Sequence, residues 1–284
     1  MKISVRDPNV ESFYPILKEI GYDGVDVSFS KWDQREYILS SSFKEDYIKK
    51  YERLTAAGLT VIQTHLTYYP GHFEPLGDGS YEAFEEYMLP IMLQELEVTA
   101  MMRCSTAVLH PFFDVSRVVS REGNMKLFGK LLPAAERYGI MLAAENIYCK
   151  GHGEAFLTTA EDLLYYTERI ESQNFGICLD VGHAVTRKQE PAAMLRALGS
   201  RVKALHLHSN VSDRDLHLPP MMVRYVDWVE LYGVLENVGY QGAFNMEISP
   251  PKQMNRKTAV DYYTMAHGIA TGLISKDTDR WMDD

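Results

Sequence analysis

The chain has 284 residues, 46% of them hydrophobic and 24% charged, an ordinary globular composition. Its formal charge of −10 argues against a general attraction to nucleic acid, where phosphate contacts dominate binding. An anionic ligand remains compatible with that charge if metal ions share its site. No apolar run of about 18 residues occurs, so no membrane span is expected. The opening MKISVRDP lacks the apolar core of a secretory signal. Cys104, Cys149 and Cys178 show no CxxC spacing, and together these features point to a cytoplasmic protein with reduced thiols.

Short apolar runs recur along the whole chain: KISV (2–5), GVDVSF (24–29), TVIQTH (60–65), TAVLHP (106–111), MLAAEN (141–146), FGICLD (175–180), VKALHLH (202–208) and AFNMEI (243–248). Helix-period stretches lie between them. Val10, Phe13, Tyr14 and Leu17 share a face, as do Phe128, Leu131, Leu132 and Ala135, and Trp228, Leu231, Tyr232 and Leu235. Gly21, Gly58, Gly139 and Gly239 stand where such helices would stop, and Pro191 where one would start. Eight strand–helix units predict a closed parallel (β/α)8 barrel, spanning residues 1–284 as a single domain. An open doubly wound sheet would carry a glycine-rich loop after its first strand, and SVRDPN is no such loop.

The polar residues fall at the strand ends. His65 ends the third run, His110 the fourth, Glu145 the fifth, Asp180 the sixth, His206 the seventh and Glu247 the eighth. Catalytic residues of such barrels sit at the C-terminal ends of the strands. Taken singly, each residue has a plainer reading: Asp180 or Glu145 as a helix cap, Asp213 and Asp215 as turn formers, a histidine as a hydrogen-bonded core residue. Six such residues in register at one mouth point instead to bound cations, because three converging carboxylates would otherwise repel.

With THLTYY, LHPFFD, AAENIY, CLDVGHA, LHLHSNVSDRDLHLPP and NMEIS, essentially the whole chain resembles the xylose-isomerase-like TIM barrels. That group includes sugar isomerases and epimerases, inosose dehydratases and apurinic/apyrimidinic endonuclease IV. The resemblance implies that Glu145, Asp180, His206 and Glu247 hold a divalent metal. It also implies that His65, His110, His183, Asp215 and His217 match the additional ligands of the three-zinc endonuclease. The implied activity is a metal-dependent sugar or sugar phosphate isomerase or epimerase, with Glu145 and Glu247 as base and acid. His183, His208, Arg214 and Tyr68 are the expected substrate contacts, and Tyr69, Phe73, Phe112 and Trp32 candidate pocket walls. The cofactor is expected to be one ion of manganese, zinc, cobalt or iron, with room for up to three. The partner is a small sugar rather than nucleic acid or a membrane, and a homo-oligomer is among the open states. A three-zinc phosphodiesterase is the alternative, and a non-catalytic metal barrel a third reading. The chain departs from the group at Ser209-Asn210, at Met221-Met222-Val223, and at Gly151 and His152, where the ketose epimerases carry a second glutamate, which implies a reshaped pocket.

Overall fold

The computed structural model describes residues 1–29, 32–68, 80–114, 116–148, 157–211 and 214–276. The strands are β1 (Ile3–Arg6), β2 (Gly24–Ser28), β3 (Thr60–His65), β4 (Thr106–Leu109), β5 (Met141–Glu145), β6 (Phe175–Asp180), β7 (Val202–His206), β8 (Ser209–Val211), β9 (Arg214–Leu218) and β10 (Phe244–Met246). The helices are α1 (Tyr14–Ile20), α2 (Arg35–Ile38), α3 (Ser41–Ala56), α4 (Tyr81–Met101), α5 (Arg117–Tyr138), α6 (Ala160–Thr167), α7 (Val181–Thr186), α8 (Pro191–Leu198), α9 (Trp228–Asn237) and α10 (Arg256–Ser275). Eight parallel strands run in the order β10-β1-β2-β3-β4-β5-β6-β7. A backbone bond from Leu207 N–H to the Asn245 carbonyl, 2.9 Å, brings β7 to β10 and closes the ring. This is the (β/α)8 barrel expected from the alternation.

Outward-facing strand residues such as Val25, Leu142, Ile177 and Leu205 pack on helix residues such as Leu17, Leu96, Leu131 and Leu195 in one continuous core. Burying each such side chain is worth about 1.5–3 kcal/mol. Gly21, Gly58, Gly139 and Gly239 all have positive φ, as the helix stops required. Val10, expected on a buried helix face, instead precedes a short 3-10 turn and is half exposed.

The barrel interior has two unlike halves. Val108, Ala143, Cys178 and Ala204 from β4 to β7 form a small apolar cluster of their own. On the other side, Ser4 donates to Asn245 at 2.8 Å, and Asn245 and Gln63 both donate to Asp26 Oδ2, at 3.1 and 3.0 Å. The candidate ligands stand on this divided floor.

The segment after β7 reads as a loop in the sequence and is a hairpin in the structure. β8 and β9 pair antiparallel, with an irregularity at Asn210. The Asn210 amide holds the turn: its Oδ1 accepts from Leu216 N–H at 2.6 Å and His217 N–H at 3.2 Å, and its Nδ2 donates to Asp215 Oδ1 at 2.9 Å. A short polar side chain thus does what the ladder alone does not.

Candidate metal centre

Alternation along β5, β6 and β7 turns Glu145, Asp180 and His206 into the barrel, and the register sets Asp180 beside His206. Glu145 is the hub. His65 Nε2 and His110 Nε2 each lie 3.2 Å from its Oε2. Its Oε1 faces His206 Nδ1 at 3.1 Å and His183 Nδ1 at 3.3 Å. His206 Nδ1 is also 3.3 Å from Glu247 Oε2 and 3.7 Å from Asp180 Oδ2. Further out, Asp215 Oδ2 is 2.9 Å from His217 Nε2 and 3.6 Å from His183 Nε2. The structure therefore brings the whole expected ligand set to one mouth.

Asp180 caps a helix and still turns one oxygen to the cluster. Its Oδ1 caps α7, accepting from His183 N–H at 2.6 Å, while its Oδ2 faces the histidines. Asn146 braces it: the side-chain oxygen accepts from Asp180 N–H at 2.7 Å and the side-chain nitrogen donates to the Asp180 carbonyl at 2.8 Å. His217 adopts φ 49°, a left-handed conformation costly for a side-chain-bearing residue, and this bend aims its ring at Asp215.

The outer nitrogens of the histidines decide which nitrogen faces inward. A carbonyl only accepts, so Nδ1 of His65, His183 and His217 donates to the carbonyls of Leu66, Asn146 and Glu247, at 3.1, 2.9 and 2.8 Å. Nε2 then faces Glu145 from His65 and Asp215 from His183 and His217, while His183 Nδ1 also stands 3.3 Å from Glu145 Oε1. His206 is turned the other way: Nδ1 faces the carboxylates, and Nε2 lies 3.3 Å from Asp26 Oδ2.

Burial opposes charge throughout the cluster, yet the groups charge one another. At His206 burial is outweighed by Cys178, Glu145 and Glu247, and at His183 by Asp180 and Asp215; both pKa values stand well above the ordinary range. Burial and then the acidic neighbours Glu247 and Asp215 set His217, with a net rise to about 9. Burial wins at His110, whose pKa is lowered. Burial is overcome at Glu247 by His206 and His217, so its carboxyl falls to about 2. The carboxylates thus hold protons on nearby imidazoles, the places a divalent cation would take. Oxygen and imidazole donors converging at these spacings fit such an ion.

A cavity of about 530 Å3 opens on the cluster, lined by Phe29, His65, Tyr68, His110, His183 and Asp215 among others. Tyr68 stacks on His110, with ring centroids 4.6 Å apart. His208, expected to touch substrate, is fully buried, and its Nε2–H donates to Asp180 Oδ2 across 2.9 Å. Arg214 is exposed on β9 and is absent from the described cavity lining. Phe112 is a core residue packed on Tyr81 and Phe84. Tyr69, Phe73, Gly151, His152, Asp213 and the Trp32 side chain lie outside the described residues. Sequence reasoning missed three participants. Arg6 lines the cavity with its guanidinium 3.9 Å from Glu247. Asn146 braces Asp180, and Asp26 lies beneath His206. A lone aspartate inside GVDV was the available signal for the last.

The chain is similar to several known proteins. An uncharacterised protein of Methanocaldococcus jannaschii is 29% identical over 128 residues, 44% of this chain, and the match spans 43% of that protein's length. The crystal structure of a D-tagatose 3-epimerase-like protein superposes with a TM-score of 0.75 at 18% identity, covering 97% of this chain and 98% of the other. That of D-psicose 3-epimerase in the presence of D-fructose gives 0.74 at 15% identity, covering 96% and 99%. At such identities these two share the fold. The family model for xylose isomerase-like TIM barrels matches residues 15–262, and the chain belongs to that family.

Proposed function

We propose that this protein is a divalent-metal-dependent sugar isomerase or epimerase that moves a proton next to a carbonyl. The observation that carries the reading is the convergence of Glu145, Asp180 and Glu247 on His206 Nδ1, within 3.1–3.7 Å, with Glu247 lining the cavity. The 3-epimerases whose fold the chain shares act on ketoses by name, which supports a sugar of similar size. Glu145, Asp180, His206 and Glu247 would hold the ion. Bound there, a divalent ion of manganese, zinc, cobalt or iron supplies Lewis acidity that polarises a carbonyl and offsets enediolate charge. The chain's own residues do the rest. Glu145 and Glu247 take and return the proton, each held as a carboxylate by the histidines around it. Arg6 at 3.9 Å from Glu247 and His183 at the cavity wall orient hydroxyl groups, and Tyr68 and Phe29 exclude water.

The test is proton exchange in deuterated water over a panel of ketoses and their phosphates. Glu145→Gln and Glu247→Gln, saturated with metal, should lose exchange by about 10²–10⁴-fold. Near-normal exchange in both would remove the glutamates from the proton-transfer role.

One observation favours a second reading. His65 and His110 on Glu145 Oε2, the four central ligands, and His183 with Asp215 and His217 form three adjacent donor groups, the set that a trinuclear phosphodiesterase would use. Three zinc ions per chain, together with cleavage of an abasic-site duplex, would establish it over the isomerase.

A further inference from the structure

Asp26 sits in the middle of β2, inside the barrel, with 1% of its surface exposed. Burying a carboxylate there costs several kcal/mol unless its partners compensate. Its Oδ2 accepts from Gln63 and Asn245, while its Oδ1 has no hydrogen-bond partner. The His206 ring lies beside it, fully buried. His206 Nε2 is 3.3 Å from Asp26 Oδ2, not yet aligned for a hydrogen bond, and has no hydrogen-bond partner elsewhere. Two buried groups of opposite preference, each with unmet capacity, face one another across the floor of the site.

The contrast with the other histidines is the second observation. His65 and His217 rest their outer nitrogens on neutral backbone carbonyls, at 3.1 and 2.8 Å. His206 rests its outer nitrogen on a carboxylate. A carboxylate behind a ligating imidazole fixes the proton on the outer nitrogen, fixes ring orientation and strengthens the inner nitrogen as a donor.

We infer that Asp26 is a positioning residue for the metal centre: it keeps the His206 proton on Nε2 and the Nδ1 lone pair toward Glu145, Asp180 and Glu247, and so sets how tightly a divalent ion is held. Asp26 acts through His206 and touches neither substrate nor ion. Gln63, Asn245 and Ser4 hold the carboxylate in place from β3, β10 and β1. The inference rests on the metal reading above.

The experiment compares wild type with Asp26→Asn, and with Val108→Ala as a variant that leaves a cavity in the apolar half of the same floor but keeps the charge and the Asp26 hydrogen bonds. Zinc affinity is measured by competition with a chromophoric chelator. Asp26→Asn should weaken it about 10–100-fold, while Val108→Ala stays near wild type. Histidine-selective ¹⁵N NMR, assigned with His206→Gln, reads the proton directly: a hydrogen-bonded Nε2–H in zinc-loaded wild type, shifted upfield in Asp26→Asn. Unchanged affinity and an unchanged Nε2–H signal in Asp26→Asn would overturn the inference. If Asp26→Asn does not fold, wild type alone decides, since a His206 ring carrying its proton on Nδ1 overturns it. Failure of wild type to bind any divalent ion would refute the metal reading instead; in the metal-free protein an Nε2–H signal of His206 that does not move in Asp26→Asn would still overturn the inference.

Discussion

His208 lies flat against His217, with ring centroids 4.2 Å apart and planes 5° from parallel. The same His208 reaches Asp180 Oδ2 at 2.9 Å. One buried ring thus supports a central carboxylate and, through His217, the outer Asp215 group. His208→Ala should lower stability by about 1–3 kcal/mol, because Asp180 loses a buried partner. It should also reduce metal occupancy at both the central and outer positions. Denaturant unfolding and elemental analysis of the same preparation check both effects.

Gly182 makes room for that ring. A Cβ built there would overlap His208 and approach Asn210 Nδ2 to 2.6 Å. Gly182→Ala should therefore destabilise the protein by about 1–3 kcal/mol through overpacking. The double variant with His208→Ala should cost less than the sum of the single changes, a coupling that a double-mutant cycle of unfolding free energies measures.

The outer group is separable from the central one. Replacing Asp215 and His217 together by alanine should lower the metal count per chain without unfolding the barrel, since both are partly exposed on the hairpin. In wild type, that outer position should also gain affinity with pH. Burial opposes the His217 imidazolium, Glu247 and Asp215 favour it, and the balance places its pKa at about 9. Below that value a metal must displace a proton, so affinity should rise up to about tenfold per pH unit and level off above it. Titration calorimetry across a pH series reads the slope.

Glu95 on α4 is buried beneath the end of β3, accepting from the backbone N–H and hydroxyl of Thr67. Burial raises its pKa from 4.5 to about 8, the Thr67 hydrogen bonds opposing the shift. The folded state therefore keeps a proton that the unfolded state releases. The contribution to stability is complete below pH 4.5, is lost as pH rises toward about 8, and is then constant. Glu95→Gln keeps the acceptor and cannot ionise, so its stability should not fall across that window. Thermal unfolding of both proteins at a series of pH values tests the difference.

The barrel and its ring of polar strand-end residues were legible because both follow from period and position. Alternation places residues inward, and eight repeats place strand ends together. What escaped were residues whose role depends on a partner far along the chain. Asp26 meets His206 only after closure, and nothing within GVDV marks which strand it will face. Asn146 was visible in AAEN, but its use of both amide atoms on Asp180 is a matter of three-dimensional spacing. His208 shares the inward parity of His206, which suggested contact with substrate; the hairpin that follows covers it, and that hairpin is held by a side chain, Asn210, rather than by an alternating apolar pattern. Asp180 shows the limit from the other side, since one oxygen of its carboxylate caps a helix while the other faces the histidines, so the capping role does not exclude a place in the cluster.

The divided floor of the barrel has a consequence for the order of assembly. Its polar half joins Ser4 to Asn245, 241 positions apart, and carries Asp26 and Gln63 between them. Such distant contacts form late, because the loop they close is entropically expensive. A half-formed barrel containing β1 to β5 would already own His65, His110 and Glu145, yet it would lack the floor that seats His206 and the strand that brings Glu247. On the metal reading, tight uptake at the central position would be an event of the finished ring, and the ion would tie β5, β6 and β7 to the segment that follows β10.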